Sequence, residues 1–95
     1  MNDYEMVVIV NPEIDEAGKT GVMDKISQVI SGNEGTIEET KQWGKKRLAY
    51  SIKGFADGDY VLTQFKMESK SLKKLDEEIN AVGEILRALI VRKEK

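Results

Sequence analysis

The sequence of 95 residues contains no cysteine and no histidine. The chain therefore has no thiol nucleophile, no imidazole base, no disulfide and no Cys/His zinc site, which excludes most familiar catalytic groups. No apolar run approaches the ~20 residues needed to span a bilayer. Residues 1–15 also lack the basic, apolar and small-residue regions of a secretory signal. We expect a cytoplasmic protein that uses no cofactor, metal or small-molecule substrate and binds no membrane.

The composition fits one small domain with little net charge. Chains of ~100 residues have the common domain size, so we expect a single domain over residues 1–95. Fifteen basic and 17 acidic residues give a net charge of -2. Because no global field attracts phosphate, nucleic-acid binding would require a local basic patch. Cations do cluster in residues 41–53, 66–74 and 87–95.

The first third of the chain predicts a strand followed by a helix. Residues 4–10 form a near-continuous apolar run that is typical of a central strand, and Asn11-Pro12 ends it. Asp15 is a suitable N-cap for the helix. Gly32-Asn33 is the predicted stop, because both residues tolerate the left-handed conformation that closes a helix. The apolar face of this helix consists of Val22, Ile26, Val29 and Ile30.

The middle of the chain predicts a hairpin. Residues 36–40 alternate weakly and residues 48–52 alternate more clearly, so together they form a first arm. Residues 60–67 have high β-propensity and form the second arm. The turn is predicted over residues 53–58, which hold two glycines and an Asp-Gly pair.

A second helix and a last strand complete a β-α-β-β-α-β order. The helix is predicted to start near Ser69 or Ser71, and residues 85–92 form the strand. This order indicates a ferredoxin-like sandwich, in which both helices cover one face of a four-stranded antiparallel sheet. The first and third strands are then central, which agrees with their apolar content.

Strand alternation predicts which residues face the helices and which lie on the open face. The predicted helix-facing set is Met6, Val8, Val10, Val61, Phe65, Met67, Leu86, Ala88 and Ile90. The predicted open-face set is Val7, Ile9, Tyr60, Leu62, Leu89 and Val91, flanked by Lys66 and Arg87. We interpret this open set as a partner-binding surface, because contiguous exposed apolar patches usually mark interactions. Arg87 has a second interpretation as an edge-strand charge that prevents aggregation.

The run from Trp43 to Ile52 is the most unusual local feature. Three consecutive cations, Lys45, Lys46 and Arg47, lie between a Trp-Gly pair and an apolar tail. A charge run of this kind is commonly a solvated strand end. The other interpretation is a phosphate contact supported by aromatic residues, and composition alone leaves both open.

Motifs along the whole chain point to one family. They are Tyr4-Glu5-Met6, Asn11-Pro12, Trp43-Gly44-Lys45-Lys46-Arg47-Leu48-Ala49-Tyr50, Gly58, and Ile85-Leu86-Arg87. This set resembles the family of the bacterial small-subunit ribosomal protein number six. Two positions depart from the family pattern, since Lys46 stands where Arg is frequent and Ser51 where Pro is usual. Lys keeps the charge but lacks the planar fork that holds a phosphate bidentately.

The resemblance implies a ferredoxin-like structural protein that is not an enzyme. It implies binding to 16S ribosomal RNA in the central domain (platform) of the small subunit, together with ribosomal protein number eighteen. On this basis we predict RNA contacts for Lys45, Lys46, Arg47, Arg87 and Arg92. Trp43 and Tyr50 are expected to anchor the arm against the sheet or the partner, with a bend at Gly44.

Other functions with the same element order fit less well. An RNA-recognition motif would need a first-strand aromatic to pair with Tyr60, and the matching position is aliphatic. An acylphosphatase-like enzyme would need a phosphate-binding loop after the first strand, and residues 11–15 are acidic there. Asp76-Glu77-Glu78 is better interpreted as a solvated helix face than as a metal site. The remaining alternative is a small-molecule-sensing or protein-interaction oligomer that uses the open sheet face.

Overall fold

The computed structural model describes residues 2–93 and contains four strands and two helices in the predicted order. They are β1 (Asn2–Val10), α1 (Glu16–Gly32), β2 (Thr36–Ile52), β3 (Phe55–Met67), a 3₁₀ turn (Ser69–Ser71), α2 (Leu72–Asn80) and β4 (Ile85–Arg92). The strands form one antiparallel sheet in the order β2-β3-β1-β4. The ferredoxin-like arrangement, with β1 and β3 in the centre, is therefore confirmed.

The main core lies between the two helices and one face of the sheet. Even-numbered β1 residues and odd-numbered β3 residues point to the helices, and Met6, Val8 and Phe65 are fully buried there. Tyr4 adds a ring contact with Phe65, with centroids 5.7 Å apart. Each large apolar side chain buried in this way contributes roughly 1.5–3 kcal/mol relative to exposure. The helices supply Val22, Ile26, Ile30, Leu75 and Ile79.

Helix α1 begins as predicted and ends by a different mechanism. The Asp15 side chain accepts a hydrogen bond from the Gly18 backbone N–H at 2.8 Å, which confirms the N-cap. The helix ends at Gly32, as predicted, but the left-handed residue is Glu34, with φ 63°. The backbone N–H of Gly35 then bonds to the Ile30 carbonyl at 2.8 Å and closes the last turn.

The hairpin turn lies within the predicted segment 53–58 but not at its Asp-Gly pair. The hairpin turns at Lys53-Gly54, where φ is 51° and 85°, so both residues have the left-handed conformation that two-residue hairpin loops favour. Asp57 and Gly58 instead lie inside β3. Gly58 is required by packing, because an added Cβ would lie 2.3 Å from Cγ2 of Ile9.

The predicted placement of Leu86 on the helix side is also wrong. The pairing of β1 with β4 shifts between Ile9, which pairs with Arg87, and Val10, which pairs with Ile85. This bulge inserts Leu86 and reverses the alternation at the start of β4. Ile85 consequently joins the main core, and Leu86 packs on the opposite face with Ile9.

Candidate nucleic-acid interface

The tip of the β2–β3 hairpin bends over the face of the sheet that the helices leave uncovered. The register of β2 with β3 breaks between Arg47 and Ile52, so four residues of β2 bulge away from their partner strand. Leu48 from this bulge is 8% exposed and packs on Ile9 and Leu86. This second cluster covers one end of the open face, with Ile52, Phe55 and Tyr60 packed around it.

Two polar contacts hold the tip across the sheet on β4. The Arg87 guanidinium donates a hydrogen bond from Nη1 to the Tyr50 hydroxyl at 2.7 Å. The Lys53 ammonium donates from Nζ to the Ile85 carbonyl at 3.4 Å. Arg87, predicted to contact RNA, therefore also has a positioning contact with the hairpin. The Tyr50 ring remains 63% exposed, so Tyr50 anchors the tip through its hydroxyl group.

The three consecutive cations are divided between the two faces of β2. Lys46 pairs in register with Gly58 and lies on the open face, whereas Lys45 and Arg47 pair with Asp59 and Asp57 and lie on the other face. All three are exposed. Lys45 and Arg47 have no ion-pair partner within residues 2–93.

Lys46 is held by aromatic rings. Its Nζ lies 4.9 Å from the ring centroid of Trp43 and 5.9 Å from that of Tyr60, which are cation–π distances. Trp43 is displaced from the regular ladder by a register shift between Gln42 and Gly44, where φ of Gly44 is 83°. The bend expected at Gly44 is present, and it brings the Trp43 ring beside the ammonium group.

Arg92 does not belong to this group of cations. It pairs in register with Tyr4, on the helix side of the sheet, and lies at the far end of β4 from Arg87. Its Nη2 donates a hydrogen bond to Oδ1 of Asn2 at 3.3 Å. The structure thus brings Lys46 and Arg87 to the same end of the open face and separates Arg92 from both.

The predicted partner residues do share the open face, but they differ in exposure. The pairing aligns Leu62, Val7 and Leu89 in one row across three strands, next to a row that contains Tyr60 and Ile9. Ile9 and Leu62 are only 6% and 7% exposed, so the expectation that these two are open surface is wrong. Leu89 and Val91 are 47% and 55% exposed. Among the six predicted partner residues, the two on β4 are therefore the most exposed.

A buried ion pair beneath the cations was not predicted from the sequence. Oδ2 of Asp59 on β3 lies 2.6 Å from Nζ of Lys19 on α1, and the two side chains are 3% and 18% exposed. The hydrogen bond from the ammonium to this carboxylate raises the pKa of Lys19 above its ordinary value of 10.5, against an opposing effect of burial. The sequence did contain one indication of this pair, because Asp59 lies inside an apolar strand and a buried carboxylate requires a partner.

Within residues 2–93 no group of three or more His, Cys, Asp or Glu side chains could hold a metal ion. No helix in this range is long and apolar enough to cross a membrane.

Comparisons with known proteins agree on one family. The family described as ribosomal protein S6 matches residues 3–92. Small ribosomal subunit protein bS6 of Symbiobacterium thermophilum is 41% identical over 97% of each chain, and that of Clostridium acetobutylicum is 38% identical over the full length of both.

Solved structures support the same assignment. The crystal structure of 30S ribosomal protein S6 from Thermotoga maritima matches with a TM-score of 0.88 and 26% identity, covering 97% of this chain and 87% of that one. The C-terminal domain of MgtC from Mycobacterium tuberculosis has a TM-score of 0.65 at 18% identity and shares the fold alone. The chain therefore belongs to the ribosomal protein S6 family and is a structural constituent of the small ribosomal subunit in the cytoplasm, not an enzyme.

Proposed function

We propose that this chain binds 16S ribosomal RNA in the central domain (platform) of the small subunit together with ribosomal protein number eighteen. The observation that carries the proposal is the group of exposed cations on edge strand β2. Lys46 is held over two aromatic rings, and Lys45 and Arg47 have no carboxylate partner within residues 2–93. RNA is thus contacted through phosphates.

The geometry suits a phosphate backbone that approaches the edge of the sheet. Because β2 is an edge strand, Lys46 on one face and Arg47 on the other can both reach phosphates along its outer side. A lysine ammonium has three donors, so its contact with the Trp43 and Tyr60 rings leaves donors available for phosphate oxygens. The rings also restrict the lysine chain, which lowers the conformational entropy cost of binding.

The proposed protein partner covers the exposed part of the open face. Leu89 and Val91 present apolar surface there, beside a cavity of ≈ 170 Å³ between the hairpin tip and the sheet. Tyr50, Tyr60 and Arg87 line this cavity together with Leu89. An apolar side chain of the partner would fill it. The partner's own cations would then supply phosphate neutralisation that a chain of net charge -2 lacks.

The RNA contact is tested with the triple variant Lys45→Ala, Lys46→Ala and Arg47→Ala in complex with the partner. We expect weaker binding and a shallower dependence of log K on log salt, by about 0.7–0.9 for each phosphate that is no longer neutralised. The matched control replaces Lys70, Lys73 and Lys74, which lie on the helix side, and so removes the same charge. An unchanged slope in the first variant, or equal changes in both, would contradict the proposed contacts.

The partner surface is tested with Leu89→Asp. Because Leu89 is half exposed, we expect this variant to keep its fold and lose association with ribosomal protein number eighteen in a two-protein titration. Leu62→Asp is not suitable as the primary test, since Leu62 is 7% exposed and a buried carboxylate would destabilise the monomer. Normal association of a folded Leu89→Asp variant would exclude β4 from the interface.

A further inference from the structure

Trp43 is a large aromatic side chain that the fold leaves in contact with solvent. It is 46% exposed and belongs to neither of the two buried clusters. Its indole N–H has no hydrogen-bond partner within residues 2–93. Single exposed apolar residues are common, so the surroundings of the ring decide whether it binds a ligand.

The backbone of β2 directs this ring out of the regular ladder. The pairing with β3 shifts between Gln42 and Gly44, so Trp43 is the extra residue of a β-bulge. Gly44 has φ 83°, a conformation that favours glycine. Bulges of this kind re-aim side chains, often next to functional sites. Here the bulge places the indole ring on the edge strand, beside Lys46.

Lys46 brings a positive charge to the ring. Its Nζ lies over the ring, 4.9 Å from the centroid, while nearly half of the Trp43 surface stays in solvent. A planar group that stacks on the exposed part of the ring would therefore lie close to an ammonium group. A nucleotide matches this pair, because it joins a planar base to a phosphate through one sugar.

The charge around the ring favours nucleic acid over protein. Three cations that lack a carboxylate partner within residues 2–93 follow the ring along β2, namely Lys45, Lys46 and Arg47. The acidic residues of the same strand, Glu38 and Glu39, each lie within 4.0 Å of a lysine. Lysine is depleted in protein interfaces. Aromatic rings beside cations are instead the means by which proteins bind single-stranded nucleic acid.

The surface proposed for the protein partner lies toward the other edge of the sheet. Strands β3 and β1 separate β2 from β4, so the two edge strands are about 14 Å apart. The partner can therefore cover Leu89 and Val91 on β4 while RNA occupies the ring on β2.

We propose that the Trp43 ring stacks on one unpaired base of the RNA and that Lys46 contacts a phosphate beside that base. The base must be unpaired, because bases in a duplex are stacked on their neighbours and do not expose their faces. Any base can serve, since each has a π-face. This inference rests on the proposed RNA contact and adds a base to the phosphates.

The probe is a single-stranded octamer of adenosine nucleotides, compared with an octamer of abasic ribose phosphates of the same charge. The intact chain is titrated with each strand at low salt, and calorimetry measures both affinities. Trp43 is the only tryptophan, so its fluorescence reports on this ring alone. We expect the adenosine strand to quench the fluorescence and to bind about 5–140 times more tightly than the abasic strand.

Two variants separate stacking from indirect effects. Because Trp43 is half exposed, both are expected to keep the fold. Trp43→Phe retains an aromatic face and should keep most of the preference for the adenosine strand. Trp43→Leu should bind the two strands equally, with an unchanged salt dependence because no charge is removed. If the ring acted only by holding Lys46, Trp43→Leu would weaken the binding of both strands by the same factor.

Three results would overturn the proposal. The first is no preference of the wild type for the adenosine strand, including no binding up to about 1 mM. The second is equal weakening of both strands by Trp43→Leu. The third is a Trp43→Leu variant that binds the adenosine strand normally but no longer associates with ribosomal protein number eighteen, which would assign the ring to the protein interface. The phosphate contacts are judged separately, by the salt dependence of the triple cation variant in the complex.

Discussion

The two faces of the sheet are both apolar, yet they are closed by different structures. The helix side is covered by α1 and α2, and Met6, Val8 and Phe65 have no exposed surface there. The open face is covered only at one end, by the bent tip of the hairpin, and Leu89 remains 47% exposed. The first face is covered by the chain's own helices, whereas the second leaves apolar surface of β4 exposed.

Phe65→Ala should have the largest effect on stability, because Phe65 lies in the core on the helix side of the sheet. Removal of a fully buried phenyl ring leaves a cavity and also removes the contact with Tyr4, so we expect a loss of ~3–5 kcal/mol in the free energy of unfolding. Urea denaturation monitored by circular dichroism measures this loss. A decrease below about 1 kcal/mol would mean that the helix side is not the main source of stability.

Gly58→Ala should have an intermediate effect on stability, because it disturbs packing on the open face. The added methyl group would overlap Cγ2 of Ile9, so we expect a destabilisation of ~1–3 kcal/mol by urea denaturation. Gly21→Ala is the matched control. Nothing lies within 4 Å of a Cβ at Gly21 inside α1, so this variant should stabilise by roughly 0.5–1 kcal/mol. Equal stability of the two variants would contradict the close approach of β3 to β1.

The smallest effect concerns Lys19 and Asp59, which join the helix layer to the hairpin. Because the pKa of Lys19 is raised by folding, its contribution to stability is complete below 10.5 and is lost as pH rises through the higher folded value. We expect the free energy of unfolding to fall more steeply above pH 10.5 in the wild type than in Asp59→Asn. Parallel stability curves for the two proteins would contradict the ion pair.

The element order could be predicted because it depends on local periodicity. The limits of β4 and the N-cap at Asp15 were both correct, since each follows from a short pattern and its neighbours. The hairpin turn was predicted only to within residues 53–58, because nothing in Lys53 indicates that it adopts the left-handed conformation. The Asp-Gly pair at 57–58 does not form the turn. Gly58 lies inside β3, where the absence of a side chain lets Ile9 approach closely.

The candidate site was predictable in composition but not in geometry. The cations on β2 were identified from their sequence, and the structure shows that they lie on an edge strand. Their division between two faces follows from the pairing with β3, which local patterns do not specify. The bulge that moves Leu86 and the bend that brings Tyr50 to Arg87 are tertiary effects of the same kind.

The link between Tyr50 and Arg87 also has a consequence for the order of folding. Strand β1 is synthesised first, but its neighbours in the sheet are β3 and β4. Val7 and Ile9 can therefore pair on both sides only after these two strands have been synthesised. The hairpin can form before β4 exists, yet its tip can be fixed only after Arg87 has left the ribosome that makes the chain. At ~5–20 residues per second, this delay lasts on the order of seconds. We therefore expect the nascent chain to acquire an ordered hairpin tip last, after β4 has joined the sheet.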